Sequence, residues 1–430
     1  MNVDLHAELL NANAATYAIT TVSMVGVLVR PWNLSEALSA CGGAALLVLA
    51  GLIPWSDAYA AIGKGNDVYL FLVGMMLLSE LARSEGLFDY LATLCVRQAQ
   101  GSAQRLFLLV YGVGTLVTIF MSNDATAVVL TPAVLAVSHR AKVAPLPYLM
   151  VCALIANAAS FVLPISNPAN LVVFGDSMPS LGAWVGRFSI PSVLAIVATY
   201  AVLKAVYRQD LKLPVAQDMA LQPLSTSGKL AAGGVVLTVL VLLGASALAL
   251  PLGLATLLTA GSVCAATLVY KRQSPMHLLK HVSWSVLALV AGLFVLVEGL
   301  QRAGALELLS TSLRYASSVS SAGAALLAGS AIAFASNLVN NLPAGLIAGT
   351  VAASADAEPV VRSAIAIGVD LGPNLSITGS LATILWLVAI RREGEHVSAW
   401  QFLKVGAIAM PVALFCALLG LLLQHLAFLR

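Results

Sequence analysis

Apolar runs of roughly 17–25 residues, parted by short polar breaks, recur from end to end of this chain of 430 residues. That is the length a helix needs to cross about 30 Å of hydrocarbon at about 1.5 Å per residue. The pattern predicts spans near 15–30, 35–53 and 66–82, and again near 229–247, 253–270 and 281–298. The two sets are related by a common offset of half the chain, and the plan continues in both halves. Each third run ends in an acid, Glu80 or Glu298, and a short amphipathic stretch follows (85–98 and 303–315). Then come Asn-containing interruptions, Ser122-Asn123-Asp124 and Asn337-Leu338-Val339-Asn340-Asn341. Last is a long run broken by polar, Pro and Gly residues, LPISNPAN (163–170) and LGPNLSITGS (371–380), in which Ser166 matches Ser380 at the same offset. The expectation is an all-α polytopic membrane protein of two structural repeats, 1–212 and 229–430, joined by a linker over 213–228.

The Asn-containing interruptions sit in mid-run, so each marks either a loop between two full spans or the tip of a re-entrant hairpin. Basic residues decide, because they favour cytoplasmic loops. With hairpins over 103–138 and 320–350, each half has five crossings and the halves are inverted. One side then carries 16 of the 22 Lys and Arg residues, among them Arg83, Arg140, Lys212, Lys271 and Arg391. The other carries only Lys64, Arg187, Arg302, Arg314, Arg362 and Arg430. The bias predicts ten spans, both termini in the periplasm, the linker in the cytoplasm, the first hairpin opening inward and the second outward. Trp32, Trp55, Trp184, Trp284 and Trp400 fall at run ends, where an aromatic belt belongs.

Composition agrees. Hydrophobic residues make up 60% of the chain, charged residues 10%, and mean hydropathy is +0.94, against about 25% charged for a soluble domain. The start, MNVDLHAELLNANAATYAI, carries acids and no Lys or Arg before its apolar stretch. It lacks the basic region of a cleavable signal and is expected to be a retained span. The five cysteines are scattered singly, with no spacing for a disulfide framework or metal site. No His/Glu metal pair or Ser/His constellation lies within the runs, so an enzyme is not expected, nor a cofactor, nor a nucleic-acid partner for a net charge of only +3.

Broken backbone at membrane depth is tolerated only where protein or a water-filled cavity covers it. Half-helices that end there aim free N–H groups and dipole ends into that cavity, the construction of substrate sites in inverted-repeat carriers. The side chains offered are Asn123, Asp124, Thr126, Ser166, Asn167, Asn170, Asn340, Asn341, Asn374, Ser376, Thr378 and Ser380, nearly all neutral donor–acceptors. Amides and hydroxyls also satisfy broken backbone, which is the structural alternative for any one of them. Acids at membrane depth are costly and functional as a rule. Asp124 at a hairpin tip and Asp370 near the middle of its span are the candidates for carrying a proton or binding an ion.

MSNDATAVVLTPAV (121–134), SNLVNNLPAGL (336–346) and GVDLGPNLSITGSLATILWLV (368–388) resemble the ArsB-type arsenite efflux permeases of the ion transporter superfamily, and the likeness covers essentially the whole chain. Sodium–dicarboxylate carriers of the same superfamily place Ser-Asn-Thr at both hairpin tips. Here the tips read Ser-Asn-Asp and Val-Asn-Asn, which tells against a dicarboxylate with twin sodium sites. Asn157 stands where some members have an acid.

The resemblance implies export of arsenite or antimonite across the bacterial inner membrane in exchange for protons, with a cytosolic arsenite-stimulated ATPase as an optional partner. Neutral arsenous acid carries three hydroxyls, which a pocket of amides and hydroxyls suits, whereas clustered thiolates would bind it and release it slowly. A sodium/proton antiporter on the same scaffold is the alternative, with Asp124 and Asp370 binding the ion.

Overall fold

A computed structural model describes residues 2–31, 34–216 and 223–428, and shows helices and no β-strand among them. The first half runs α1 (Asn2–Val29), α2 (Glu36–Leu49), α3 (Trp55–Gly63), α4 (Asn66–Ser84), α5 (Leu87–Ala99), α6 (Ala103–Met121), α7 (Thr131–Arg140), α8 (Leu146–Ala158), α9 (Pro168–Phe174) and α10 (Leu181–Val206). The second repeats that order with α11 (Thr226–Ala247), α12 (Leu252–Lys271), α13 (Met276–His281), α14 (Trp284–Arg302), α15 (Ala305–Val319), α16 (Ser321–Val339), α17 (Asn341–Ser354), α18 (Pro359–Leu371), α19 (Leu381–Arg392) and α20 (Ala399–Phe428). Among the described residues, length and apolarity mark eight helices as able to cross a bilayer, or nine with α3 and α4, bent by 48°, taken as one span. Two of the eight, α6 and α16, are first arms of the expected hairpins.

Helices cross between the halves in matched pairs. α4 packs on α12 and α2 on α14, while α10 packs on α20. Contacts at the helix ends give directions. Asp67 at the start of α4 accepts from the Gly253 amide at the start of α12 (2.7 Å), and Lys271 at the end of α12 pairs with Glu85 just past α4 (2.7 Å). α4 and α12 therefore run parallel. Lys64, just before α4, pairs with Glu298 near the end of α14 (2.8 Å), so α4 and α14 run antiparallel. The acids matched by the sequence pattern are thus both ion-paired, Glu80 to Arg83 and Glu298 to Lys64 and Arg302.

Each half is interrupted twice. Ser122 (φ 122°) and Asn340 (φ 71°) turn the chain between hairpin arms with positive φ. Asparagine tolerates such a φ better than serine, for which the strain costs on the order of 1–3 kcal/mol. Side chains offset it: Ser122 Oγ accepts from the Ala125 amide (3.4 Å), and Asn340 Oδ1 from the Leu342 amide (3.3 Å). After the first tip, Ala125–Leu130 winds as a π-helix, a form frequent at functional sites. The second interruptions end α8 and α18 after 13 residues each, about 20 Å of a roughly 30 Å core. Irregular chain follows until α9 and α19 restart, each behind a side-chain cap. Asn167 Oδ1 accepts from the Ala169 amide (3.0 Å), and Ser380 Oγ from the Thr383 amide (3.1 Å). α9 begins directly after Asn167 and α19 directly after Ser380, so Ser380 stands in the place of Asn167, the chain neighbour of its expected match Ser166.

Small residues let α18 lie tightly on α16. A Cβ on Gly368 would overlap the carbonyl oxygen of Gly329, and one on Gly372 that of Ala333, the close approach that substitutes for a hydrophobic drive within lipid. The aromatic belt needs one correction. Trp55, Trp284 and Trp400 are exposed at helix ends, but Trp184 is buried, stacked on Phe188 (4.3 Å between centroids), and donates to the Phe161 carbonyl (3.1 Å). Its indole N–H satisfies backbone freed by the break after α8, which outweighs a place in the headgroup layer. Trp32, Arg430 and positions 217–222 of the expected linker lie outside the described residues.

Candidate functional site

Four helix starts converge on one small cavity of about 20 Å³, just large enough for a water. Asn123 and Asp124 line it from the first hairpin tip, and Asn341 and Leu342 from the start of α17. Asn167 and Pro168 come from the start of α9, and Leu381 and Ala382 from the start of α19. Leu72 of α4 and Val286 of α14 close it with apolar walls. The first-turn amides of a helix lack intrahelical acceptors, so such an arrangement directs donors and positive dipole ends inward.

The polar groups in this lining are unequally engaged. Asn123 uses its Oδ1 to accept from the Asp124 amide (2.9 Å), leaving its amide nitrogen for a solute. The Asp124 carboxylate and the Asn341 amide make no side-chain hydrogen bond or ion pair among the described residues. Asn167 is fully committed: besides its cap, its Nδ2 donates to Asp370 Oδ1 at 2.7 Å. Asp370 is buried at the end of α18, and its Oδ2 has no hydrogen-bond partner among the described residues. Through Asn167 this second carboxyl sits one side chain behind the cavity wall.

Other expected site residues hold backbone together instead. Asn374, buried, donates to the Leu154 carbonyl (3.0 Å) and accepts from Asn157 Nδ2 (3.0 Å), cross-linking the two broken spans. Asn157 occupies in α8 the place of Asp370 in α18, each the last residue but one of its helix, so the expected acid is replaced by an amide that bonds across the halves. Asn170 Nδ2 donates to the Ser160 carbonyl (2.9 Å), and Ser166 Oγ to the Ile119 carbonyl in α6 (2.9 Å). Thr126 pairs with Thr118 across the first hairpin (2.8 Å). Thr378 is exposed and, with Ser376, bonds Asn337 (3.3 and 2.6 Å). Of the expected residues, the cavity gathers Asn123, Asp124, Asn167 and Asn341. Asn340 and Ser380 cap the half-helices, and Thr126, Ser166, Asn170, Asn374 and Thr378 stand apart.

A family profile described as citrate transporter matches residues 21–371. The chain belongs to that family. Within the citrate transporter family it is similar to the arsenical pump membrane protein of Escherichia coli K12, at 29% identity over 95% of this chain and 98% of the relative. It is also similar to the putative arsenical pump membrane protein of Bacillus subtilis, at 25% over 92% and 96%. These relatives bear out the resemblance to ArsB-type permeases read from the motifs. Among solved structures, the YdaH transporter of Alcanivorax borkumensis aligns with a TM-score of 0.58 at 15% identity, over 85% of this chain and 87% of that one. The likeness extends to the fold.

For a member of this family the cavity lining is informative by its charge: it holds one acid and no Lys, Arg or His. The apolar walls Leu72, Val286, Leu381 and Ala382 carry no polar signal in the sequence that could have singled them out. Asn157 in α8 and Asn337 at an interruption are visible there as amides, but the partners that define them come from the other half or from the next break.

Proposed function

We propose that this protein exports arsenite, and antimonite by the same chemistry, from the bacterial cytoplasm in exchange for protons. The observation that carries the reading is the cavity in which Asp124, Asn123 and Asn341 meet without a cationic side chain. A citrate anion would bring two or three negative charges against a carboxylate and no base, a costly desolvation without a partner. Neutral arsenous acid offers three hydroxyls, which can donate to a carboxylate and accept from amide nitrogens. The arsenical pump relatives support the same class of substrate.

Asp124 is the coupling group in this account. Its carboxylate is unengaged by other side chains, so it can take either a proton or the hydroxyls of the solute, and alternation between the two gives exchange. Asp370, held by Asn167, stands behind it. Exporting a neutral solute for each entering proton moves charge inward. At about 2.3 kcal/mol per 100 mV, against about 1.4 kcal/mol per tenfold gradient, the membrane potential alone sustains more than a tenfold gradient.

The inverted arrangement, with five spans per half, the two hairpins and periplasmic termini, belongs to the same proposal. It is supported by the antiparallel run of α4 and α14, the equivalent third spans, and by the 16-to-6 distribution of basic residues. A sodium/proton antiporter is the second reading, favoured by the unpartnered Oδ2 of Asp370. Expression in an arsenite-sensitive, sodium-sensitive strain separates the two. Growth restored on arsenite alone supports export of arsenite, and growth restored only at high sodium refutes it.

A further inference from the structure

A second cavity, of about 90 Å³, adjoins the first and shares Leu72, Asp124, Pro168, Val286 and Leu381 with it. It continues along one side of α4 past Met75 and Met76 to Ser79 and Glu80, with Ser283 opposite at the start of α14. Glu80 lies two helical turns and more beyond Leu72, about 12 Å at the helical rise, so this end of the cavity points toward the end of α4, where Arg83 and the Lys271–Glu85 pair lie. On the measure by which about 10–15 Å³ holds a water, the cavity has room for several. At the other membrane end a separate cavity of about 240 Å³, lined by Lys64, Asp67 and Asp176, shares no residue with the 20 Å³ site. Of these two larger cavities, only the 90 Å³ one shares lining residues with the site.

The polar groups of the adjoining cavity are Ser79, Ser122 and Ser283 and two acids, Glu80 and Asp124, and no base lines it. Glu80 is engaged by Arg83 through two hydrogen bonds (2.8 and 2.6 Å). The pair is oriented: the Glu80 side chain is 9% exposed and lines the cavity, whereas that of Arg83 is 44% exposed and reaches outward. The carboxylate thus faces the passage and the guanidinium faces water.

We infer that this cavity is the loading passage of the site, and that Glu80 at its mouth makes it a filter that turns away anions while passing uncharged, hydroxyl-bearing solutes. The inference rests on the transport reading above and deepens it. It assigns the discrimination between a neutral trivalent oxyacid and multiply charged oxyanions to the approach, ahead of the binding residues. A neutral solute meets no charge repulsion from the two carboxylates and can still donate its hydroxyls to Asp124, whereas an anion is repelled by both within a low-dielectric wall that focuses their field.

Thiol chemistry tests the passage without any transport measurement. In a background with the native cysteines replaced, Ser79→Cys is treated in oriented vesicles with membrane-impermeant methanethiosulfonates, one bearing trimethylammonium and one sulfonate. Gln273→Cys, exposed after α12, and Asp176→Cys, exposed at the other end, mark the two faces. Ser79→Cys is expected to react only from the face that Gln273→Cys reports. The cationic reagent should be faster by about tenfold, after correction for each reagent's rate with a free thiol, since one charge at a few ångströms in water changes local concentration severalfold for each sign. Glu80→Gln should lower that ratio and Arg83→Gln should raise it. Should Glu80→Gln fail to fold, Arg83→Gln and Ser283→Cys at the mouth carry the same test. Reaction from the Asp176 face, reaction from neither face, or equal rates for the two reagents would overturn the inference. Loss of arsenite export with this labelling pattern intact would instead count against the transport reading.

Discussion

Removing the Asn167 side chain tests how the cavity is tied to the carboxyl behind it. In Asn167→Ala the first turn of α9 loses its cap, worth about 1 kcal/mol at such positions. The larger effect falls on Asp370, which is buried, has one oxygen without a partner, and accepts a hydrogen bond of 2.7 Å from Asn167 at the other. A hydrogen bond to a charged group contributes about 1.5–3 kcal/mol, so with Asp370 ionised the total loss should be about 3 kcal/mol. The two contributions separate in a double-mutant cycle with Asp370→Leu, because in that background Asn167→Ala should cost only the cap. A coupling of about 2 kcal/mol is expected, roughly a 30-fold change in the unfolding equilibrium. Unfolding by SDS in mixed micelles, read by a thiol-reactive fluorophore at the buried Cys95, Cys152 and Cys264, supplies the four free energies. Additivity to within about 0.5 kcal/mol, the scatter usual for independent sites, would show that Asn167 and Asp370 do not act together. The link between cavity and buried carboxyl would then fall.

Asn123→Ala and Asn341→Ala should abolish arsenite resistance with membrane protein levels unchanged, checked by growth and immunoblot of membranes, because their amides line the cavity. Asn374→Ala should instead lower stability by about 1–3 kcal/mol, read in the same SDS titration, since it removes the hydrogen bonds that tie the Leu154 carbonyl and the Asn157 amide to the other half, leaving Asn157 only its longer bond to Thr383. Gly368→Val should force α18 off α16 and reduce the folded yield in detergent on size-exclusion chromatography. Cysteines placed in 271–281 should be labelled from the cytoplasmic side, and labelling from outside would reverse the proposed topology.

Much of this architecture is legible in the chain itself. The turns at Ser122 and Asn340 are visible because Ser122-Asn123-Asp124 and Asn340-Asn341 are polar residues in the middle of apolar runs, and such interruptions have few physical explanations within a bilayer. The broken spans are visible for the same reason, and the element order repeats as the offset between the halves suggests. The offset itself is not constant: it is larger between the tips, Ser122 and Asn340, than between the starts of α8 and α18, Leu146 and Pro359. The return arm of the first hairpin is longer, and it contains the π-helical stretch, which no periodicity announces.

Which amides face the cavity is not legible. The broken chain at 159–167 has neither a 3.6-residue nor a two-residue period and α9, of seven residues, is too short to show one, so Asn167 and Asn170 look alike in sequence, though one meets the cavity and the other binds carbonyls. Asn374 looks equivalent to Asn123, but its partners lie in α8, in the other half of the chain. Trp184 reads as a belt residue because a run end and a membrane interface coincide in sequence, whereas in space the break after α8 lies against it.

The most direct test of proton-coupled arsenite export through Asp124 uses everted membrane vesicles, in which export appears as uptake. With an imposed gradient, acid inside, vesicles containing the wild-type chain should accumulate labelled arsenite above its outside concentration and release it when the gradient is collapsed. Vesicles containing Asp124→Asn should equilibrate arsenite without accumulating it, because the amide binds the solute but cannot exchange a proton. Undiminished gradient-driven accumulation by Asp124→Asn, or wild-type vesicles that never exceed equilibrium, would contradict the account.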